Sequence, residues 1–254
     1  LSESSSIPLP VNSIAISGSN IFAGTGYDGI FLSINNGNSW IAVNNGLSIS
    51  STYPRVHSIT INGNNIFAGV EGGVFLSTNN GGFWTMMNNG LPHLYPIQVD
   101  IIASSGSNIY AGIRGGGVYL SADNGNNWTA MNDGLSNFSI NSLIIRGSNI
   151  FAGTDDGVYL STNNGSNWIA VNDGFISNYD KIVSSLAISE NGSEIFSGSE
   201  NSGIFRRPLL EMLNLTISTN FINLNALNNY TAEFNIVSKI SWTVSSSETW
   251  LTVS

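Results

Sequence analysis

The chain has 254 residues, of which 41% are hydrophobic and only 9% are charged, and its formal net charge is -9. So few charges exclude a coiled coil, a helical bundle and a charge-rich disordered chain, and the acidic balance argues against nucleic acid as a partner. With no Cys and two His, the sequence lacks a disulfide framework and a cysteine zinc site, and we expect no cofactor and no metal. No apolar run reaches about 18 residues, so we expect no membrane-spanning segment. The 28 Gly, with abundant Asn and Ser, indicate many turns and an all-β protein.

A repeat of about 44 residues organises most of the chain. Four tryptophans recur at intervals of 44, 44 and 40 residues. The pentapeptide Asn-Ile-Phe/Tyr-Ala-Gly keeps the same spacing, with a weaker last copy; the five copies begin at Asn20, Asn65, Asn108, Asn149 and Glu194. A period of this length with several strands per unit is typical of a β-propeller blade, and the alternative is a solenoid. We therefore predict a β-propeller of about five four-stranded blades.

Each repeat divides into short strand segments separated by Gly, Asn and Ser clusters. In the first repeat the predicted strands are Asn12–Ser17, Ile21–Thr25, Gly29–Ser33 and Ser39–Val43. The last unit has three predicted strands and no tryptophan hairpin after them; they are Ser184–Ser189, Ile195–Ser199 and Gly203–Arg207.

A fourth strand for the last unit must come from elsewhere. Leu1–Ile7 could supply it and close a ring of five blades, which would leave no free sheet edge. The alternative is that Leu1–Pro10 is a loop that follows further blades upstream. Because the sequence begins at Leu1 without an initiator Met or a signal-peptide pattern, we expect a mature or excised segment.

The turn before each repeat tryptophan has a recurrent pattern, first seen as Ser33-Ile-Asn-Asn-Gly-Asn-Ser-Trp40. It resembles the Asp-box, or BNR repeat, Ser-x-Asp-x-Gly-x-Thr-Trp, of sialidase-like propellers. The motif's Asp is kept only at Asp123 and its Thr in no copy, but Asn can serve as the acceptor that such a turn needs. The residues that match the motif are Ser33, Asn35, Gly37, Trp40, Ser77, Asn79, Gly81, Trp84, Ser121, Asp123, Gly125, Trp128, Ser161, Asn163, Gly165 and Trp168.

The resemblance implies a structural role for these turns and says little about catalysis. The Asx side chain is expected to fold back onto backbone N–H groups, Gly to supply the positive φ, and the indole to anchor the hairpin between neighbouring sheets. The alternative is a Ca²⁺ loop built from Asn oxygens, which the single carboxylate among four copies disfavours.

The repeat stops near Leu213, and a second all-β segment begins at Leu215-Thr-Ile-Ser. Its end, from Trp242 to Ser254, resembles the first half of a BACON domain, an immunoglobulin-like sandwich of secreted Bacteroidota proteins. The resemblance implies an Asp-box propeller over residues 1–211 and an incomplete BACON-like β-sandwich over residues 212–254. It also implies an exported protein, extracellular or on the bacterial cell surface. The incomplete sandwich would expose strand edges through which the chain could associate with a partner.

The chemistry-bearing residues fall on two sets of loops, those leading into each blade and those between the second and third strands. We predict that both sets share one face, opposite the tryptophan turns, and variable loops on a repeated scaffold usually carry binding. Aromatic rings there could stack on sugars or a protein, with charged groups fixing polar atoms; the alternative is that they are merely solvated. His57 and His93 are interpreted as loop residues. The predicted ligand-binding residues are Tyr27, Asp28, Tyr53, Arg55, Glu71, Tyr95, Arg114, Asp155, Asp156, Tyr179 and Glu200.

The favoured hypothesis is a non-catalytic, secreted or cell-surface module that binds glycan or protein through this loop face. Sialidase-like glycosidases grip a carboxylate with three arginines, and here only Arg55 and Arg114 fall on that face. We therefore predict no catalytic residue. One alternative is a propeller glycoside hydrolase that uses two carboxylates of the loop face, about 5 to 9.5 Å apart. The other is an architectural repeat subunit.

Overall fold

The computed structural model describes residues 10–47, 54–209, 215–217 and 236–238. Over these residues the all-β prediction is confirmed, since antiparallel sheets account for the regular structure. The predicted strand within Leu1–Ile7, the candidate ligand residue Tyr53 and the BACON-like segment from Trp242 lie outside the described residues.

Four sheets have four strands each in chain order, and a fifth has three. We number these sheets blade 1 to blade 5. Blades 1 and 2 contain β1 (Val11–Ser17), β2 (Asn20–Thr25), β3 (Ile30–Ser33), β4 (Ile41–Ala42), β5 (Val56–Asn62), β6 (Asn65–Val70), β7 (Gly73–Ser77) and β8 (Thr85–Met86). Blades 3 and 4 contain β9 (Val99–Ser105), β10 (Asn108–Ile113), β11 (Gly117–Ser121), β12 (Thr129–Ala130), β13 (Ile140–Arg146), β14 (Asn149–Thr154), β15 (Gly157–Ser161) and β16 (Ile169–Ala170). Blade 5 contains β17 (Val183–Ile188), β18 (Glu194–Ser199) and β19 (Gly203–Pro208).

The fourth strand of blade 1 is shorter than the sequence predicts. In blade 1 it covers Ile41–Ala42 rather than Ser39–Val43. The ladder ends early because an asparagine side chain replaces the backbone: Asn44 Oδ1 accepts from Ile30 N at 2.7 Å, and its Nδ2 donates to Asp28 O at 2.9 Å. The same asparagine clamp recurs in the next three blades, at Asn88, Asn132 and Asn172.

The hydrophobic core lies between neighbouring blades. At the first of these interfaces Ile30 of blade 1 clusters with Val56 and Ile59 of blade 2. Equivalent clusters join blades 2 and 3 and blades 3 and 4. The blades approach so closely that a Cβ on Gly24 would lie 2.6 Å from Val56 Cγ1, which explains the glycine of the repeated pentapeptide.

Each tryptophan turn is held by a serine and an Asx side chain. In the first copy Gly37 N donates to Ser33 Oγ at 2.8 Å, and Ser39 N donates to Asn35 Oδ1 at 2.9 Å. The chain reverses through two residues with positive φ, Asn36 at 55° and Gly37 at 86°. The second of these is a glycine and the first an Asn, the residue type that best tolerates this conformation after Gly. The other three turns repeat both bonds.

Three of the four indoles tie a blade to the one before it. The Nε1 atoms of Trp84, Trp128 and Trp168 donate to the carbonyls of residues 43, 87 and 131 at 2.8, 2.8 and 2.7 Å. All three side chains are buried. Trp40, in blade 1, donates instead to Gly37 O of its own turn at 3.1 Å and is only partly buried.

The described residues fall into two compact units. The first contains those up to Ala187 together with Ser197–Phe205, and the second contains Ile188–Phe196 and those from Arg206 onward. In the second unit β20 (Leu215–Ile217) pairs antiparallel with β21 (Ile236–Ser238). The domain boundary at residues 211 and 212 and the immunoglobulin-like sandwich stay predictions.

Candidate functional site

A β-bulge interrupts the first strand of each of blades 1 to 4. One polar residue in each of these strands therefore departs from the regular alternation of side chains between the two faces of the sheet. The register shifts between Val11 and Ser13, Val56 and Ser58, and Ile140 and Ser142, and β9 shifts opposite Gly112 and Ile113. Bulges of this kind re-aim side chains and are frequent next to functional sites. The bulged residues are Asn12, His57, Asp100 and Asn141, and Ser184 has the same repeat position in blade 5.

A second set of polar side chains follows the second strand of the blades. The first residue after that strand is Glu71 in blade 2, Arg114 in blade 3, Asp155 in blade 4 and Glu200 in blade 5. Antiparallel pairing places each beside the bulge residue of its own blade, as the bond from Asn141 Nδ2 to Asp155 Oδ1 at 2.8 Å shows.

All members of the two sets except Asn12 and Glu71 line one cavity of about 360 Å³, which we call the bulge cavity. Side chains from blades 2 to 5 contribute to it, all within the first compact unit. Its lining residues are His57, Asp100, Arg114, Asn141, Asp155, Ile182, Ser184 and Glu200.

Asp100 is a buried carboxylate of the bulge cavity with two side-chain hydrogen-bond donors. Only 8% of its side chain is exposed, and it accepts from Arg114 Nε at 2.9 Å and from Gln98 Nε2 at 2.7 Å. His57 Nδ1 lies 3.8 Å from Asp100 Oδ1. Burial lowers the pKa of His57 more than Asp100 raises it, so the neutral imidazole is favoured. The other ring nitrogen of His57, Nε2, is buried with no hydrogen-bond partner among the described residues.

The carboxylates on the blade 4 and blade 5 side of the cavity, unlike Asp100, are not paired with a cationic side chain among the described residues. Asp155 accepts from the Asn141 amide, and neither it nor Glu200 has an ion-pair partner among the described residues. The cavity therefore presents acceptors at this side and a donor, the Arg114 guanidinium, beside them.

An exposed aromatic and an ion pair lie on the loops of blades 1 and 2. The Arg55 guanidinium lies 5.3 Å from the centroid of the half-exposed Tyr27 ring, within cation–π range. Arg55 also pairs with Glu71 at 3.8 Å. Two of the predicted ligand residues are thus held in place by a third.

The remaining predicted residues are more dispersed. Asp156 pairs with Lys181 at 3.4 Å, and the backbone of Asp28 is used in the turn and in the asparagine clamp. Tyr95 and Tyr179 are exposed on loops and do not line the bulge cavity. The loop containing His93 borders a second cavity of about 630 Å³, formed by residues 88–94 and Ile97 alone.

Sequence reasoning missed the bulge residues. The interpretation of His57 as a loop residue is wrong, because His57 lies within β5. The bulge directs its side chain toward the cavity. Asp100 and Asn141 were not among the candidates, although each follows the buried Val or Ile that starts the first strand of its blade. A polar residue at this one position in every repeat is the signal that could have identified them.

Among the described residues, no three His, Asp or Glu side chains are grouped so as to hold a metal ion. Nor does any described helix have the length and apolarity to cross a membrane.

No protein-family model matches the chain, and neither does any curated protein. Several solved structures are similar. The extracellular domain of a protein described as a one-component system of B. thetaiotaomicron has a TM-score of 0.64 at 17% identity, with 80% of this chain and 28% of that chain covered. An ancestral GH74 enzyme has a TM-score of 0.65 at 19% identity, with 90% and 31% covered. YCF48 in complex with a peptide has a TM-score of 0.59 at 16% identity, with 78% and 66% covered.

These neighbours establish the class of fold. The chain has the β-propeller fold, built from repeated four-stranded antiparallel blades. It spans about three tenths of the length of the first two neighbours. At these identities the likeness carries the fold and not the function.

Proposed function

We propose that the chain is a non-catalytic binding module that recognises a glycan through the bulge cavity and the adjoining loops. The observation that carries this proposal is the bulge cavity itself, in which polar side chains from four blades converge. Ligand sites typically combine a concave surface with a few polar groups that fix orientation.

The donor and acceptor pattern suits a polyhydroxylated ligand. Each sugar hydroxyl both donates and accepts a hydrogen bond, and the cavity offers the Arg114 guanidinium as a donor and Asp155 and Glu200 as acceptors. The half-exposed ring of Tyr27 would cover the apolar face of a sugar, steadied by Arg55. A protein ligand is the alternative within the same class of function, since one neighbour was solved with a peptide.

We further propose that the tryptophan turns are Asp-boxes, that residues from 212 onward form a BACON-like domain, and that the protein is exported. The repeated serine and Asx bonds support the first assignment. The extracellular domain among the structural neighbours supports the third.

The bulge cavity also keeps a second candidate function open. Asp155 and Glu200 line it together, and a GH74 enzyme is among the neighbours, so a glycoside hydrolase with these two carboxylates is the alternative.

A glycan array probed with the full chain tests both functions, combined with an assay for reducing ends released from each glycan bound. We expect binding without release, weakened about tenfold or more in Glu200→Gln and in Tyr27→Ala. Matched controls are Glu190→Gln, an exposed acid in another loop, and Phe83→Ala, an exposed aromatic in a tryptophan turn; both should bind normally.

Release of reducing ends that disappears in Asp155→Asn or Glu200→Gln would establish the hydrolase instead. Binding that survives Glu200→Gln and Tyr27→Ala unchanged would move the site away from the bulge cavity and contradict the proposal. No glycan binding by a folded chain would refute a glycan ligand and leave a protein partner to be sought.

A further inference from the structure

The first strand of blade 1 exposes an apolar residue, Ile14, whose equivalents are buried in blades 2 to 4. Ile14 is 61% exposed, whereas its repeat equivalents Ile59, Ile102 and Leu143 are 6%, 3% and 8% exposed. Val11 and Ile16, on the same strand, are exposed as well. We call Val11, Ile14 and Ile16 the leading face.

The indole of blade 1 contacts no preceding blade among the described residues. Trp84, Trp128 and Trp168 reach a carbonyl of the preceding blade. Trp40 has the same position in its turn, yet it bonds to Gly37 O within that turn. Its side chain therefore remains only partly buried.

The other half of the same interface is exposed on blade 5. Ile204 is 79% exposed, while its repeat equivalents Ile30, Val74, Val118 and Val158 are 0%, 0%, 0% and 2% exposed. A Cβ added at Gly198 would meet, among the described residues, only Ser185 of the neighbouring strand. We call Ile204 and Gly198 the trailing face.

The leading and trailing faces carry the residues that, in the middle of the chain, pack against each other between neighbouring blades. Ile30 packs with Val56 and Ile59, Val74 with Val99 and Ile102, and Val118 with Ile140 and Leu143. At these three interfaces the residue equivalent to Ile204 thus belongs to the same buried cluster as the residues equivalent to Val11 and Ile14 of the next blade. The trailing face of one molecule carries the side chains that the leading face of another would bury.

We propose that the leading face is a docking surface for the trailing face of a second copy of this chain, which continues the packing between blades from one molecule to the next. The contact is heterologous, since different surfaces meet. It lies outside the bulge cavity and goes beyond the proposed function. Burial of exposed Ile side chains on both partners supplies the driving force.

The heterologous pairing permits a sharp test by multi-angle light scattering of the full chain between about 1 µM and about 1 mM, a range that brackets weak to moderate affinities. Ile14→Lys blocks only the leading face and Ile204→Lys only the trailing face. Both residues are exposed, so the fold should survive, and circular dichroism checks this. The control is Ile176→Lys, which charges an exposed loop residue outside both faces.

We expect the native chain and the control to gain mass with concentration. Each face variant should stay monomeric alone, but their equimolar mixture should form a dimer, because one intact leading face meets one intact trailing face. Three results would overturn the proposal: a native chain that is monomeric throughout, an Ile204→Lys variant that still associates alone, or a mixture that fails to pair.

Discussion

Replacement of Trp128 by Phe separates the role of the indole between blades from its role within its own turn. Trp128 is buried, and its Nε1 donates to Met87 O of the preceding blade at 2.8 Å. Trp40 has the same position in its turn but contacts Gly37 of that turn instead. The change Trp40→Phe is therefore a matched control for Trp128→Phe.

The expected cost at Trp128 has two parts. Loss of the donor leaves the Met87 carbonyl without its partner, which costs about 1–3 kcal/mol. The smaller ring leaves a void of about 40 Å³, which at about 24 cal/mol per Å³ adds about 1 kcal/mol. We expect Trp128→Phe to lower the free energy of unfolding by about 2–4 kcal/mol. Trp40→Phe should cost less than about 1 kcal/mol, because the side chain is already partly solvated.

Urea denaturation followed by circular dichroism, in dilute solution, measures both variants. For a chain of this size the Trp128 variant should also melt about 5–15 °C lower. Because repeat proteins can unfold in parts, the m-value must be compared along with the midpoint. Equal losses in the two variants would refute the reasoning, since they would show that contact with the preceding blade adds no stability.

Three further predictions concern stability and its pH dependence. Gly90→Ala should lower the free energy of unfolding, measured by urea denaturation, by at least about 2 kcal/mol, because Gly90 has a φ of 88° and its Cβ would clash with the carbonyl of the next repeat tryptophan. The control is Gly174→Ala, which has a similar φ of 99° but open space around the added Cβ. Its free energy of unfolding should fall clearly less. Hydrogen bonds, first from the Ser202 side chain and then from backbone amides, lower the pKa of Asp180 to about 2. Its stabilisation is therefore present above the unfolded pKa of about 3.9 and lost as pH falls toward 2, so the melting-temperature deficit of Asp180→Asn should shrink over that window. Burial lowers the pKa of His57, so as pH falls below about 6.5 the unfolded chain binds a proton at His57 before the folded chain does. The stability of the native chain should therefore decline below that pH. In thermal melts, the melting temperature of His57→Gln should fall less steeply over the same range.

The strand positions were predictable because the repeat marks its own boundaries. Glycine and asparagine clusters separate the strands, and the observed β1 (Val11–Ser17) and β17 (Val183–Ile188) begin within one residue of the predicted starts. The fourth strand of blade 1 was overestimated. Ser39 to Val43 has an apolar pattern, but the N–H of Ile30, the residue before the paired Phe31, bonds to the Asn44 side chain. The apolar pattern of a sequence indicates which side chains are buried. It does not indicate which backbone groups form a hydrogen bond with a side chain.

The bulge residues escaped prediction for a physical reason. A strand normally alternates its side chains between two faces, so a polar residue between Val56 and Ser58 is assigned to a solvated face or to the preceding loop. The bulge adds one residue against the partner strand and breaks this alternation, and only the pairing of Val56 with Val70 and Ser58 with Gly69 reveals it. The loop residues Arg114 and Glu200 were accessible to sequence reasoning because glycine turns expose them whatever the register.

The bulge also explains how a repeated scaffold can hold a varied site. The residue before this position is Val or Ile in all five blades, while the residue at the position itself varies in charge and in hydrogen-bonding capacity. Where that residue is Asn it can serve the scaffold as well, since Asn12 and Asn141 each donate to the backbone of the next blade, at 3.0 and 3.1 Å. His57 and Asp100 make no such bond to the next blade among the described residues, and they lie together in the bulge cavity. Under the proposed function, a change at these two positions should therefore alter ligand binding without removing a hydrogen bond from the bulged residue to the backbone of the next blade.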